Sequence, residues 1–383
     1  MKQTDGYILE KIEDITYILP YGQNIADRKK AVRVNEMGEF LWEVMAHDVT
    51  REQIYNEVLS SMKYDGADDE DSIKEDIDCF LDKLLKCGVI RENSTCNTQI
   101  LWNHIEIGNL LIRMEGKAEV FSHEFEKFIV NPPEDKEPDM IIKVHISNPF
   151  FNDNGCILVR NEEMCICECE DEYIILFPKM EQVKQAVIKK DGSLADYYCG
   201  FSQADDLRNE LFHAIRHAYV YKAQQNSIFA MHSASLLYKE KIWLFSGPSG
   251  TGKSTHTKLW KDNLGVELIN GDLNLIALEK EKAIVYGLPW CGTSGISKKC
   301  RYELGGIILL EQYPVNIVEN LPAHRKVIGV MNRFISPNWK KEQMLSNVNF
   351  ARKLTDKIYI GKLKCTKDIE ALQIVKNKID SLQ

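Results

Sequence analysis

The sequence predicts a multidomain protein of mixed α+β and α/β class. Its 383 residues are enough for two or three hydrophobic cores. The N-terminal quarter alternates like short strands and then changes to helical spacing, and later an apolar strand, a glycine-rich loop and a helix follow one another. We therefore expect a winged-helix-like domain over 1–95, a β-rich subdomain over 96–225 and an α/β core over 226–383.

The N-terminal domain is predicted to contain three strands followed by three helices. GYILEKI, ITYILP and AVRVN have strand-like patterns, with a turn at residues 21–24. Helical spacing of apolar residues begins at Asn35, and Thr50 with Gln53 forms a capping box at the start of the second helix. The third helix ends near Gly88, where glycine suits a left-handed cap.

Short strands dominate the middle of the chain. They follow a polar segment, RENSTCNTQ (91–99), at which we place the domain boundary. The strand-like runs are NLLIRMEG, MIIKVHIS, CILVRN, MCICECE and EYIILFP. A helix around Asp205–Tyr221 leads from this β-rich subdomain into the α/β core.

Three cysteines alternate within the run MCICECE. Cys165, Cys167 and Cys169 fall on one face of a strand with Cα atoms about 7 Å apart. This spacing suits small buried side chains better than chelation of one metal ion. None of the eleven cysteines has zinc-ribbon spacing. We expect reduced thiols in a reducing compartment.

Composition argues against two classes of partner. A net charge of −9 disfavours broad nucleic-acid binding, which needs a basic face. No stretch approaches the ~20 apolar residues of a membrane span, and the N-terminus has no signal-peptide pattern. We expect a cytoplasmic protein that binds neither nucleic acid nor membrane.

The loop GPSGTGKS matches the P-loop pattern GxxxxGK[ST] between an apolar strand and an amphipathic helix. Its glycines let backbone N–H groups turn inward around phosphate, and the helix directs its positive end at the same anion. Lys253 is expected to reach the β- and γ-phosphates, and the Ser254 hydroxyl to ligate Mg²⁺. The expected ATP contacts are Gly247, Ser249, Gly250, Thr251, Gly252, Lys253, Ser254 and Thr255.

Phosphoryl transfer also needs a carboxylate near the loop. Asp272 ends the run VELINGD and is the candidate metal ligand and proton acceptor, although a turn residue after glycine has the same pattern. Glu311, at the end of GGIILLE, is a second candidate or a simple sheet-edge glutamate. His232 lies in the apolar run FAMHSASLL, and a histidine in such a run is by itself more typical of a core position than of a catalytic one.

The segment 287–306 is rich in glycine, serine and cations. It has the composition of a mobile loop that closes over phosphates, with one of Lys298, Lys299 and Arg301 as a charge clamp. Arg301 is the candidate nucleotide contact. A solvated surface loop is the alternative, and the two remain open at this point.

His232, the loop GPSGTGKST and the run LINGD resemble, in order and spacing, the HPr kinase/phosphorylase catalytic domain over about residues 200–320. The resemblance is greatest to HPr-kinase-like enzymes of peptide natural-product clusters, some of which phosphorylate serine or threonine of a precursor peptide. It implies phosphate and metal binding by Lys253 and Ser254, and a catalytic aspartate at Asp272 with His232 beside it. HPr kinases have an aspartate pair where this chain has Gly271-Asp272.

Residues 5–92 resemble a PqqD-type domain, the element that recognises precursor peptides. The resemblance is carried by the strands and by the runs NEMGEFLW, TREQI and CGVI. It implies that a leader peptide adds a strand beside the third strand and packs on the third helix. The implied contact residues are Ala31, Val32, Arg33, Val34, Ile77, Phe80 and Leu84. A DNA-binding winged helix is disfavoured, because residues 65–82 contain nine acidic residues and one lysine.

Together these features predict an ATP- and Mg²⁺-dependent kinase that phosphorylates a serine or threonine hydroxyl of a ribosomally synthesised precursor peptide. Asp272, assisted by His232, is expected to take the hydroxyl proton. Two alternatives remain: a small-molecule kinase, for example of free serine, and a non-catalytic, ATP-gated protein that binds and delivers peptide. A homo-oligomer is also left open.

Overall fold

The computed structural model has mixed α/β, multidomain architecture with large sheets, which confirms the predicted class at that level. The predicted boundary segment 91–99 lies outside the described residues except for Arg91, and the domain limits stay predictions. The described residues are 1–26, 29–61, 70–91, 101–147, 155–200 and 204–382.

The N-terminal part combines a three-stranded antiparallel sheet, ordered β2-β3-β4, with helices packed against it. A short pair, β1 with β5, joins its two ends. The short helix α1 begins within the segment 21–24 that was predicted as a turn. The elements are β1 Lys2–Gln3, β2 Tyr7–Ile12, β3 Ile15–Pro20, α1 Gln23–Ala26, β4 Val32–Val34, α2 Glu36–Val44, α3 Arg51–Ser61, α4 Glu70–Lys86 and β5 Ile90–Arg91.

Local capping explains where these helices begin and end. The Asn35 side chain accepts a hydrogen bond from the Gly38 N–H at the start of α2. The Thr50 N–H donates to Gln53 Oε1 (2.8 Å), and the Gln53 N–H donates to Thr50 Oγ1 (3.1 Å), which confirms the predicted capping box. Gly88 follows α4 with a φ of 72°, the left-handed conformation predicted for it.

Within the described residues, the strands of the first large sheet have the order β10-β11-β12-β13-β14-β9-β7-β6-β8. Short 3-10 helices lie at Ala118–Val120 and His123–Phe128, and the long helix α5, Ala204–Gln225, packs on β13 and β15. The strands are β6 Leu101–Ile107, β7 Leu110–Glu115, β8 Ile129–Val130, β9 Met140–Ile146, β10 Cys156–Arg160, β11 Cys165–Glu168, β12 Glu172–Leu176, β13 Val183–Lys189 and β14 Leu194–Cys199.

The second large sheet has the order β15-β19-β20-β21-β17-β16-β18, with β23 beside β21 and β22 beside β23. The β17–β21 and β21–β23 pairs are parallel. Its elements are β15 Ile228–His232, β16 Ala234–Tyr238, β17 Lys241–Ser246, α6 Lys253–Leu264, β18 Glu267–Asn270, β19 Leu273–Glu279, β20 Lys282–Tyr286, β21 Arg301–Gln312, β22 Ile317–Asn320, α7 Ala323–Met331, α8 Lys341–Thr355, β23 Tyr359–Cys365 and α9 Ile369–Asp380.

Helix α5 connects the two large sheets. Two hydrogen bonds join α5 to the first large sheet. Tyr219 Oη of α5 donates to the Ile107 carbonyl of β6 (3.1 Å), and Tyr197 Oη of β14 donates to the Ala214 carbonyl of α5 (3.2 Å). One hydrophobic cluster includes these side chains together with Leu275 of β19 and Trp290. The N-terminal part has a separate cluster built from residues 1–90. The first of these clusters therefore has members on both sides of residue 225.

No helix in the described part of the chain has the length and apolar character needed to cross a membrane.

Candidate active site

The glycine loop, residues 247–252, joins β17 to α6. The strand that leads into it is buried, with Trp243 and Phe245 in the core, so the loop has a fixed base. Gly250 (φ 79°) and Gly252 (φ 95°) have left-handed backbone conformations, which glycine adopts without steric cost. The chain can therefore turn sharply and enter the helix at Lys253.

The Lys253 ammonium and the first N–H groups of α6 lie together at the end of the glycine loop. Lys253 Nζ donates to the carbonyls of Gly247 (3.1 Å) and Pro248 (3.4 Å), and burial lowers the pKa of its ammonium group. Gln312 Nε2 donates to the Gly250 carbonyl (2.9 Å). The first N–H groups of a helix have no acceptor within the helix, and they carry its positive end. The N-terminus of α6 thus has the donor set that a phosphate requires.

Asp272 lies in the turn between β18 and β19, facing His232 at the end of β15. The distance between Asp272 Oδ1 and His232 Nε2 is 3.0 Å. Asn270 Oδ1 accepts from the N–H groups of Asp272 (2.9 Å) and Leu273 (3.0 Å), and the Ser233 N–H donates to the Asp272 carbonyl (2.9 Å). The backbone on both sides of the carboxylate is therefore held by hydrogen bonds.

Several groups keep the Asp272 carboxyl ionised. Its pKa is lowered first by the hydrogen bond to His232, and further by the charges of His232, Arg216 and Lys253, while burial opposes these effects. The side chains of Asp272 and His232 are 35% and 33% exposed, so both remain accessible to a ligand. The charges of the Asp272 carboxylate and the Lys253 ammonium also act on each other's pKa, so the carboxylate lies within electrostatic range of the glycine loop.

Two arginines near this pair have no recognisable signal in the sequence. Arg216 lies in α5, and its charge lowers the pKa of Asp272. Arg333 follows α7, and its charge lowers the pKa of Lys253 in the same direction as burial. The Arg333 carbonyl accepts from the His232 N–H (2.8 Å). Only the folded chain brings these distant positions to the loop.

The sequence resemblance aligns Gly271 with the first aspartate of the HPr kinase pair, and in this structure a side chain at that position would meet Ser294. A Cβ on Gly271 would lie 2.1 Å from Ser294 Oγ and 2.4 Å from Ser294 Cβ. Ser294 is itself held, because its hydroxyl donates to the Cys291 carbonyl (2.7 Å) and accepts from the Ile296 N–H (3.2 Å). Ser294 therefore occupies the space that a carboxylate side chain at position 271 would need.

The segment 287–306 is packed against the core along much of its length. The Gly287 N–H donates to the Cys300 carbonyl (3.0 Å). Asn270 Nδ2 donates to the carbonyls of Leu288 (3.3 Å) and Trp290 (3.2 Å). Leu288 and Trp290 are buried. These contacts hold the segment beside β18 as a packed part of the structure.

The three cations of this segment pair with carboxylates outside the glycine loop. Lys298 pairs with Glu267, Lys299 with Glu106 (3.7 Å) and Arg301 with Glu279.

The structure does not bring Arg301 to the nucleotide loop. Strand β21 runs parallel to β17, with Leu309 level with Ser246, the last residue before the loop. Arg301 is the first residue of β21, about 26 Å away along the strand. The predicted charge-clamp position is therefore corrected. The charge of Arg216 acts instead on Asp272, and that of Arg333 acts on Lys253.

Glu311 lies at the loop end of β21 but is paired with Lys362 of the neighbouring strand β23. Successive side chains of a strand point to opposite faces. Since Gln312 contacts the Gly250 carbonyl, Glu311 is directed to the other face of the sheet. Asp272 is consequently the better placed of the two candidate carboxylates.

An open pocket of about 240 Å³ lies beside the glycine loop, between α6 and the segment around Ser294. Ser254, the expected metal ligand, is one of its lining residues. A molecule bound in this pocket would therefore lie next to a phosphate at the start of α6. The lining residues are Ser235, Ser254, Thr257, Lys258, Lys261, Asp262, Leu268, Asn270, Gly271, Ser294 and Ile296.

The residues implied for peptide binding divide into two groups. Strand β4 is at the edge of its sheet, and Ala31 and Arg33 are exposed there. Phe80 of α4 is partly buried. The side chains of the remaining four are buried in the core: Val32, Val34, Ile77 and Leu84.

The cysteine row is buried as expected for Cys165 and Cys169, with Cys167 half-buried. The sulfur atoms of Cys165 and Cys167 are 4.0 Å apart, and burial raises the pKa of the Cys167 thiol to about 11. Within the described ranges, no three His, Cys, Asp or Glu side chains are grouped so as to hold a metal ion.

Comparisons with known proteins give a weak structural similarity. The structure of the Hpr(Ser) kinase/phosphatase from Coxiella burnetii matches over 39% of this chain and 95% of that chain, with 15% sequence identity and a TM-score of 0.23. No protein-family model and no curated protein matches this chain. A TM-score this low carries no argument about fold or activity, so any function has to rest on the geometry of the site.

Proposed function

We propose that this protein is an ATP-dependent kinase whose acceptor is a serine or threonine hydroxyl of a ribosomally synthesised precursor peptide. The observation that carries the proposal is the Asp272–His232 pair, at 3.0 Å, close to the Lys253 ammonium of a P-loop sequence. A carboxylate, a loop lysine and a helix N-terminus are the parts that phosphoryl transfer requires.

The glycine loop is the nucleotide site of this proposal. The N–H groups at the start of α6 bind phosphate oxygens, and Lys253 moves from the loop carbonyls to the β- and γ-phosphates. The Ser254 hydroxyl and the Asp272 carboxylate are hard oxygen ligands of the kind Mg²⁺ prefers. When bound, Mg²⁺ supplies charge neutralisation at the phosphates.

Asp272 orients the acceptor and accepts its proton. A carboxylate with a lowered pKa is a weak base, but phosphoryl transfer depends mainly on positioning and electrostatic stabilisation. Because His232 bonds one carboxylate oxygen, the other remains for the acceptor hydroxyl. His232 thus fixes the direction of the carboxylate.

The leader-binding part of the proposal rests on β4. This strand pairs with β3 and forms an edge of its sheet, where an extended peptide can add by main-chain hydrogen bonds. Binding the leader raises the effective concentration of the tethered acceptor segment at the kinase site. Weak recognition of the acceptor itself is then sufficient.

A small-molecule kinase is the second candidate. The pocket of about 240 Å³ beside Ser254 has space for a small acceptor such as free serine, and its lining includes Lys261 and the ion pair between Lys258 and Asp262.

The experiment compares acceptors with the full chain and ATP·Mg²⁺: precursor peptide with leader, the same core peptide without leader, and free serine. Mass spectrometry is expected to find one or more phosphoryl groups on the leader-bearing peptide, and far slower transfer to the other two. Equal rates with and without leader contradict leader-guided recognition, and transfer to serine alone favours the metabolite kinase. Absence of transfer to every acceptor, with ATP bound, favours a non-catalytic delivery protein.

A further inference from the structure

Helix α5 carries an arginine on the face that packs against Trp290. Trp290 Nε1 donates to the Phe212 carbonyl (2.7 Å), and the rings of Trp290 and Tyr219 are 5.3 Å apart. Arg216 lies four residues after Phe212 and three before Tyr219, which places all three on one face of the helix. Arg216 therefore lies on the face of α5 that contacts Trp290.

Trp290 leads directly to the turn that contacts Asp272. Gly292, two residues later, is so close that a Cβ on it would lie 2.9 Å from Asp272 Cβ. The face of α5 that carries Arg216 is thus turned towards the Asp272 carboxylate. In agreement, the Arg216 charge lowers the pKa of Asp272, and burial lowers the pKa of Arg216 itself.

The Arg216 guanidinium has no hydrogen bond and no ion pair among the residues that the structure describes. Arg208, two turns earlier on α5, is by contrast paired: its Nη1 is 3.2 Å from Asp205 Oδ1, and its Nε donates to the Glu119 carbonyl (3.2 Å). A half-buried cation without a partner costs folding free energy. An anionic ligand at the site would remove that cost.

We propose that Arg216 is a charge clamp that binds the γ-phosphoryl oxygens during transfer. The guanidinium is a planar, permanently charged fork that matches phosphate geometry. The inference rests on the proposed kinase activity and assigns to Arg216 the role that the sequence had suggested for Arg301. The packing of α5 between the two sheets would then matter for catalysis, because it sets the position of Arg216.

The reaction step balances without a further reactant. The bond between the γ-phosphorus and the bridging oxygen of ATP breaks, and the electron pair stays with ADP. A new bond forms between the γ-phosphorus and the acceptor oxygen, whose proton passes to Asp272. Arg216 neither gains nor loses a proton and acts only on the charge of the equatorial oxygens.

The test uses the full chain as wild type and as Arg216→Gln, Arg216→Lys and the control Arg208→Gln. Binding of ADP·Mg²⁺ and of the non-hydrolysable β,γ-imido analogue of ATP is measured by titration, together with turnover and the melting temperature without nucleotide. Arg216→Gln is expected to keep ADP affinity within about twofold, to lose about tenfold or more in analogue affinity and to lose about 10³-fold in kcat. Arg216→Lys recovers part of the loss, and Arg208→Gln behaves as wild type.

The nucleotide-free melting temperature separates a clamp from a structural arginine. Because the unpaired cation costs free energy, Arg216→Gln should melt at or above the wild-type temperature. A lower melting temperature with equal losses for both nucleotides overturns the clamp in favour of packing. If Arg216→Gln keeps the wild-type affinity for the ATP analogue and the wild-type kcat, the charge-clamp role of Arg216 is overturned, but the proposed kinase activity is not. A wild type that binds neither nucleotide overturns both.

Discussion

His232 Nε2 lies 3.0 Å from Asp272 Oδ1, and this contact links the end of β15 to the turn after β18. The hydrogen bond is the largest influence that lowers the pKa of the Asp272 carboxyl. His232 is in turn held by its main chain, through the N–H bond to the Arg333 carbonyl (2.8 Å) and the bond from Ser246 Oγ to its own carbonyl (2.6 Å). The pair is therefore rigidly connected to β17 and its glycine loop.

Asp272→Asn is expected to lower kcat by about 10²-fold or more while nucleotide binding is largely retained. The amide keeps the size of the carboxylate but does not accept a proton. Steady-state ADP release with saturating acceptor measures this loss. Turnover near the wild-type level would show that another group orients the acceptor.

His232→Gln should move the acid limb of the pH–rate profile to higher pH. The reason is that the histidine lowers the pKa of Asp272, so its removal raises that pKa and protonates the carboxylate earlier as pH falls. The kcat profile between pH 4 and 8 measures the shift, with Asp272→Asn as the variant that lacks this limb. An unmoved acid limb in His232→Gln would mean that the pair does not control turnover.

Gly271→Ala is expected to destabilise the protein by about 1–3 kcal/mol, because the new Cβ overlaps Ser294. Ser294→Gly removes both overlapping atoms and should recover most of this loss in the double variant. Urea unfolding of the wild type, the two single variants and the double variant measures the coupling free energy. Additive effects would contradict the steric contact between Ser294 and a side chain at position 271.

Acid should destabilise the fold partly through His256. The Trp260 N–H donates to His256 Nε2 (3.2 Å), and burial lowers the pKa of this histidine to about 4 from its ordinary 6.5. The unfolded chain therefore binds the proton first, so stability present above pH 6.5 is lost as pH falls towards 4, by roughly 3 kcal/mol for this group. His256→Gln keeps an acceptor for Trp260 and should show a shallower fall in unfolding free energy between these pH values. An equal slope in both proteins would contradict a neutral, buried His256.

The leader site is best probed at Phe80, since Val32 belongs to the core and a charge there would unfold the domain. Phe80→Leu is expected to weaken leader binding about fivefold, from roughly 1 kcal/mol of lost apolar contact. Ile8→Ser, on the exposed opposite edge strand β2, is the matched control and should bind as wild type. Fluorescence anisotropy with labelled leader measures both, and a loss confined to Ile8→Ser would place the peptide on the other edge.

Local signals in the sequence predicted much of the fold. The Thr50–Gln53 capping box, the left-handed Gly88 and the strand–loop–helix order around Lys253 follow from short-range geometry, and the structure has each of them. The proximity of His232 to Asp272 was implied by a family resemblance, and the two side chains do meet. Their roles in catalysis stay predictions.

Local sequence signals do not predict which distant segments pack together. The bond that orients α5 towards the site joins Trp290 to Phe212, 78 residues apart, and no local pattern indicates it. For the same reason Arg301 was placed near the phosphates, although the parallel pairing of β17 and β21 puts it at the far end of the sheet. In β4, alternation directs the side chains of Val32 and Val34 into the core and that of Arg33 outward, while the role of this strand in peptide binding stays a prediction.

The central claim is that the glycine loop holds ATP·Mg²⁺, and a thermal-shift titration tests it most directly. Wild type should be stabilised by about 2.7 kcal/mol at roughly 100-fold excess over Kd. Lys253→Ala should lose this shift, whereas Lys241→Ala, at the opposite end of β17 and paired with Glu303, should keep it. A melting curve of the wild type that is unchanged at millimolar ATP·Mg²⁺, or an equal shift in Lys253→Ala, would contradict nucleotide binding at this loop.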